Sequence, residues 1–243
     1  MSAAVVTGVG RTSAIGFEVA RRLLADGHHV LVTTHPAAEM DEPFDEVAAA
    51  LGVAAVEADL ERPDAPRALL ERAVAELGGV DIVVAAHARS SNYTLEELTA
   101  EELDRTWAIN ARASVLLVQA LAALHDVAGG GGRVVLFTSG QHIAPMAGEI
   151  PYAISKGAIH QMTRTLADAV ADRGITVNTI NPGPVDTGWP NDELKQRLTP
   201  AFPAGRWGRP ADIAGVVAWL VGPESAWMTG QVLDVEGGFR RER

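Results

Sequence analysis

Seven short apolar or β-branched runs, separated by stretches of helical periodicity, constrain this chain more than any other feature. They are AAVV (3–6), HVLVT (29–33), AAVEAD (54–59), DIVVAA (81–86), RVVLFTS (133–139), TVNTINP (176–182) and QVLDVE (231–236). Helical patterns run through FEVARRLLADG, PRALLERAVAELGG, LDRTWAINARASVLLVQALAALHDV and AISKGAIHQMTRTLADAVADRG. Gly27, Gly78 and Gly174 stand where three of these helices should stop. Strands that are apolar throughout and alternate with helices call for a parallel sheet covered on both faces. The expectation is an α/β chain, residues 1–243 forming one Rossmann-type, doubly wound domain with a seven-stranded parallel sheet. Hydrophobic residues make up 47% of it, enough for one substantial core, and no linker or repeat divides it. Ligands of such sheets bind beyond the carboxyl ends of the strands.

Charge and composition remove several classes of function. A formal net charge of −11 argues against nucleic acid or an anionic membrane as partner. The chain has no cysteine, so neither a disulfide framework nor thiolate chemistry is expected. No apolar run approaches the roughly 18 residues of a membrane span, and the N-terminus reads as a strand and glycine loop rather than a signal peptide. A cytoplasmic protein is the simplest expectation. His125, His142 and His160 share no metal-ligand spacing, so no metal is expected. EMDEPFDE (39–46) reads as a solvated loop, and GGGG (129–132), between a helix and a strand, as a linker.

The first strand runs into TGVGRTSAIG (7–16). Gly8 can make the tight turn, Gly10 admits a diphosphate to the backbone, and Gly16 allows close helix–strand packing. The helix that follows offers free amide groups and a positive dipole end to an anion. This predicts a nucleotide site. The second strand ends VTTHP, without the carboxylate that would hold ribose hydroxyls. Arg11, the Thr34 hydroxyl and His35 could instead meet a 2′-phosphate, which favours NADP(H) over NAD(H). The acidic stretch just downstream pulls the other way.

YAISK (152–156) sets Tyr152 and Lys156 about one helical turn apart on one face. With the glycine loop, Asp59, Asn110, Ser139 and NPGPVDTG (182–188 after Asn181), the order resembles that of the short-chain dehydrogenase/reductase family. The resemblance extends to MTGQVLDVEGG (228–238) and is nearest to bacterial 3-oxoacyl-carrier-protein reductase-like members. It implies a reductase that interconverts a carbonyl and a secondary alcohol with a nicotinamide. Tyr152 would be the acid/base, Ser139 would hold the substrate oxygen, and Lys156 would lower the phenol's pKa and bind the nicotinamide ribose. Asn110 would help hold a water between the lysine and solvent. Ile15, Asp59 and Leu60 would border the cofactor, and Pro182, Gly183, Val185 and Thr187 its nicotinamide end. Gln141, His142, Met146 and Trp189 would line the substrate pocket, with 188–207 as a lid.

Two departures stand out. The family's NNAG appears as AAHA (85–88), which predicts weaker or repositioned cofactor binding and makes His87 either a contact or a packed structural histidine. The glycine loop is longer than the commonest form and has the spacing of the enoyl-reductase branch, whose tyrosine and lysine stand further apart than four residues. The expected partners are a small carbonyl or alcohol, or an acyl thioester, and a homotetramer or homodimer. An acidic carrier protein would want a basic entrance, and Arg173 is the only basic residue placed near that face. The alternatives are an epimerase or dehydratase on the same scaffold, or a nucleotide-binding sensor without turnover. A halohydrin-lyase-like protein would require arginine at Lys156.

Overall fold

The structure is a computed structural model and describes residues 1–36, 43–127 and 130–241. The acidic positions 39–42, position 129 of the glycine run and the last two residues lie outside the described residues. Seven parallel strands form one sheet: β1 (Ala3–Thr7), β2 (His29–Thr34), β3 (Ala54–Glu57), β4 (Ile82–Ala85), β5 (Arg133–Phe137), β6 (Thr176–Asn181) and β7 (Val232–Asp234). Their spatial order is β3-β2-β1-β4-β5-β6-β7. Each predicted run forms its strand. AAVEAD is shortened because Asp59 leaves the sheet and accepts a hydrogen bond from the Glu61 amide at 3.0 Å.

Alternate residues of the central strands feed two cores. Ala4, Val6, Val30, Val32, Ile82, Val84, Val135 and Phe137 face α1 (Ile15–Ala25), α2 (Phe44–Leu51) and α8 (Pro210–Val221). Val5, Leu31, Val83, Val134 and Leu136 face α3 (Ala65–Leu77), α5 (Ala113–Leu124) and α6 (Ile150–Val170). Burial on both faces is why these strands are apolar at every position rather than at every second one. The predicted helix stops hold: Gly27, Gly78 and Gly174 have φ of 86°, 81° and 67°, which a side chain would strain.

The long helical pattern after residue 99 is one run with a flaw in it. Helix α4 (Ala100–Trp107), whose N-cap Thr99 accepts from the Glu102 amide, passes through a π-helical turn (Ala108–Arg112) into α5. The whole run, Ala100–Leu124, has a hydropathy of 1.4 over its best window and is long and apolar enough to cross a membrane, which the sequence reading did not anticipate. It is a core helix here, packed on α3 and α6. The remaining helix is α7 (Asp192–Leu198), within the segment expected to be a lid.

The sheet order reverses between β1 and β4, the switch point at which the crevice opens.

Candidate active site

A cleft of about 1880 Å³ opens at that end of the sheet, lined from the glycine loop across to Tyr152, Lys156 and the C-terminal tail. Gly8, Gly10, Arg11, Ile15 and Gly16 form one wall. Gly8 has φ +75°, and a Cβ there would stand 2.6 Å from the His87 amide nitrogen. A Cβ at Gly16 would stand 2.8 Å from the Gly8 carbonyl oxygen, so α1 can start hard against β1. The helix is capped by Ala14, which offers no side-chain acceptor, so its first-turn N–H groups are left for an anion. These features fit a dinucleotide. Ser13 Oγ donates to the Thr187 carbonyl at 2.9 Å and ties this loop to the segment after β6.

Thr34, His35 and Leu60 line the same cleft as Arg11. Arg11 has no ion pair among the described residues. Asp59 is not part of the lining. Its Oδ1 lies 3.2 Å from His35 Nε2 and accepts from Glu61, so its carboxylate is engaged within the fold.

The AAHA segment is rebuilt around His87. Its ring is buried, with Nε2 2.9 Å from the Ile109 carbonyl and Nδ1 2.7 Å from Thr7 Oγ1. A carbonyl only accepts, so Nε2 carries the proton and Nδ1 accepts from the threonine. Burial and the positive Lys156 push the imidazole down to about 3, keeping it neutral. The histidine ties the end of β1 to the π turn, where the side-chain amides of NNAG are missing. Ala88 lines the cleft.

Asn110 sits in the π turn and is fully buried. Its Oδ1 accepts from the Arg89 amide at 2.7 Å, and Nδ2 donates to the Arg89 carbonyl at 3.0 Å and to Ser155 Oγ at 2.9 Å. Ser155 in turn donates to the Tyr152 carbonyl at 2.8 Å. Both amide hydrogens are used in clamping the strand-four loop to α6. Asn110 therefore lies behind the cleft wall, where the resemblance implied a water-holding group at the lysine.

Ser139 follows β5 in extended conformation, φ −145° and ψ −175°, and its hydroxyl pulls the pKa of the Tyr152 phenol downward. Both line the cleft with Lys156. Lys156 is 2% exposed, donates to the Phe137 carbonyl at 2.9 Å, and lies 5.7 Å from the Tyr152 ring centroid. Burial brings the ammonium down to about 7. Burial also pushes the phenol up to about 12, against a weaker downward pull from Ser139, with Glu149 adding to the rise. The expected lowering of the phenol by Lys156 is therefore absent in this arrangement. Enclosure sets the phenol, and the Lys156 ammonium is turned to a backbone carbonyl.

Past β6, Pro182, Gly183 and Thr187 line the cleft, and buried Val185 pairs with Gly208. Met146 and Trp189 also line it, and Trp189 Nε1 donates to the Val185 carbonyl at 2.9 Å. Gln141 and His142 do not. The chain enters a 3-10 turn at Gly140, which points Gln141 Nε2 back at Thr138 Oγ1 (3.1 Å) and sets His142 against Asp234 (3.1 Å) and His160.

Comparison with known proteins shows the family of this chain. A family model described as enoyl-(acyl carrier protein) reductase matches residues 8–240. The chain belongs to the short-chain dehydrogenase/reductase family. An uncharacterized oxidoreductase of Bacillus subtilis (strain 168), YjdA, is 38% identical over 98% of this chain and 96% of its own length. The cyclic-di-GMP-binding biofilm dispersal mediator protein of Escherichia coli (strain K12) is 33% identical over 95% of this chain and 94% of its own. A blue fluorescent protein from a metagenomic library, solved in complex with NADPH, has a TM-score of 0.85 at 36% identity, covering 97% of this chain and 96% of that one.

This short-chain dehydrogenase/reductase also lines its cleft with residues that no motif marked. Glu149, Arg197, Phe239 and Arg241 all face it. Phe239 stacks on Phe202 with centroids 4.7 Å apart, and the Arg240 amide donates to the Ala201 carbonyl at 2.9 Å, so the tail folds back onto the lid segment.

Proposed function

We propose that this member of an oxidoreductase family reduces a carbonyl, or oxidises the matching secondary alcohol, using NADP(H) in preference to NAD(H). The observation that carries the reading is the meeting of Ser139, Tyr152 and Lys156 on the floor of a cleft whose other wall is the glycine loop. A bound nicotinamide would supply or accept the hydride. Ser139 hydrogen-bonds the substrate oxygen and orients it toward the Tyr152 hydroxyl. Tyr152 gives that oxygen its proton in reduction and takes it in oxidation. The phenol, pushed up by burial, holds its proton at neutral pH, as a general acid must. Lys156 stands by to swing from the Phe137 carbonyl to the cofactor ribose and the phenol. Arg11 and Thr34, both lining the cleft, support the preference for a 2′-phosphate.

The subunit pairs with copies of itself through α8 and the segment around β7; Trp219 on α8 is 41% exposed and Trp227, ahead of β7, fully so. It works in the cytoplasm on a free small molecule. Arg173, the basic residue expected near a carrier protein's docking face, has its guanidinium drawn onto the Ala122 carbonyl, which disfavours a carrier protein. The test is titration with NADPH and NADH by nicotinamide fluorescence, followed by a screen of ketones. Tighter NADPH binding with turnover of some ketone is expected. A second reading, a nucleotide sensor without turnover, draws support from the cyclic-di-GMP-binding relative of Escherichia coli. Cyclic-di-GMP binding that displaces NADPH, with no turnover of any carbonyl, would favour it.

A further inference from the structure

The protein carries a net charge of −11, yet its cleft is lined with the opposite sign. Among the described residues Arg11, Arg89, Arg105, Lys156, Arg197 and Arg241 line it, against Glu149 as the single carboxylate. Most of these cations have other duties. Lys156 is held on the Phe137 carbonyl, Arg89 pairs with Glu102 and Arg105 with Glu61. Arg11 stands at the glycine-loop end. Arg197 on the lid helix and Arg241 on the tail, the latter paired with Glu236, are the two that the dinucleotide site does not require.

Arg241 reaches the reacting centre. It lies over Gly140, the residue after Ser139, so closely that a Cβ on Gly140 would stand 2.9 Å from its Cζ. Its orientation is fixed from behind. Glu236 takes the guanidinium with both oxygens, one at 2.6 Å from Nη1, and Asn181 Nδ2 holds Glu236 at 2.8 Å. Five N–H donors less two leaves three, on a planar fork suited to a carboxylate. Glu236 offsets part of the charge, which keeps the fork aimed without making the site a strong anion trap. Arg197 is exposed at the mouth and has no ion pair among the described residues. A chain of this overall charge repels anions at long range, so cations gathered in one cleft serve a local ligand.

We propose that the substrate is a short oxo acid, its carboxylate bound by Arg241 beside the Ser139 turn, with Arg197 as a second cation at the lid. This rests on the carbonyl-reducing function proposed above and names the class of carbonyl. A purely structural Arg241, serving only to latch the tail, is the competing account.

The test compares acetoacetate and 4-oxopentanoate with their methyl esters, using NADPH. The wild type should favour each acid at least tenfold in kcat/KM. Arg241→Gln should collapse that acid-to-ester ratio at least tenfold, mostly through KM of the acids, and Arg241→Lys should recover part of it. Circular dichroism establishes that both variants fold, and Arg197→Gln, on a surface helix, provides an independent smaller drop. Equal losses on acid and ester, or a wild type that prefers esters or an uncharged thioester, would overturn the proposal. A second arm needs no turnover: malonate is titrated while the tryptophan fluorescence is followed, Trp189 lining the cleft. Malonate that binds the wild type and loses at least tenfold in affinity with Arg241→Gln supports the anion site even if no ketone is reduced, which would sink the reductase reading alone. Malonate that binds both equally, or neither, overturns the anion site.

Discussion

His87 offers a prediction about stability that activity cannot confuse. The imidazole is enclosed, its Nε2–H spent on the Ile109 carbonyl and its Nδ1 on Thr7 Oγ1, so protonation would place a second N–H against a hydroxyl in a buried site beside Lys156. Its pKa falls from the ordinary 6.5 to about 3. The folded pKa is the depressed one, so between these values the unfolded chain binds the extra proton. The stability is therefore fully present above pH 6.5 and is lost as pH falls toward 3. Each pH unit in that window costs about 1.4 kcal/mol, so going from pH 7 to pH 5 should cost about 2 kcal/mol from this residue alone. Urea unfolding at pH 7 and pH 5 measures it in the wild type and in His87→Gln. The variant should be less stable at pH 7, by about 1–3 kcal/mol for the broken buried hydrogen bonds. It should also lose about 2 kcal/mol less than the wild type on acidification. Equal acid sensitivity in the two proteins would refute the neutral, buried assignment.

Other outcomes follow from the same geometry. Gly8→Ala forces a side chain into φ +75° and within 2.6 Å of the His87 backbone, and should cost about 1–3 kcal/mol and lower Tm by several degrees in a thermal melt. Arg11→Ala should weaken NADPH binding about tenfold to a hundredfold while moving NADH little, read by nicotinamide fluorescence. Removing the Glu102 carboxylate from its pair with Arg89 (2.8 Å), as Glu102→Gln, should destabilise by about 1–3 kcal/mol in urea, because Glu102 is almost wholly enclosed. That variant should also loosen the Arg89 loop that Asn110 clamps, seen as faster amide exchange there.

What the sequence disclosed and what it hid divide along physical lines. Strands of a buried parallel sheet announce themselves, because both faces must be apolar, and Val5 and Val6 each enter a different core. The glycine loop was legible because a positive φ at Gly8 and the close approach at Gly16 admit little else. The side chains that line the cleft were less so. Gln141 and His142 follow Ser139 in sequence but turn away from the cleft, since a 3-10 turn rotates successive residues by about a third of a turn. Asn110 is fixed by a π turn, which no hydrophobic period reveals. Arg241 comes from a tail whose fold-back depends on the Phe239–Phe202 stack and the Arg240–Ala201 hydrogen bond, both long-range and unmarked by local pattern. The balance between enclosure and charge at Tyr152 is also a property of depth, which spacing alone does not give.

The central claim is that Tyr152 moves the proton in a nicotinamide-dependent carbonyl reaction. The most direct measurement is single-turnover oxidation of NADPH by an accepted ketone, in wild type and Tyr152→Phe, at cofactor concentrations where both are saturated. The account predicts unchanged NADPH affinity and a rate lower by about a hundredfold to ten-thousandfold in the variant. A Tyr152→Phe protein that turns over at the wild-type rate would contradict it.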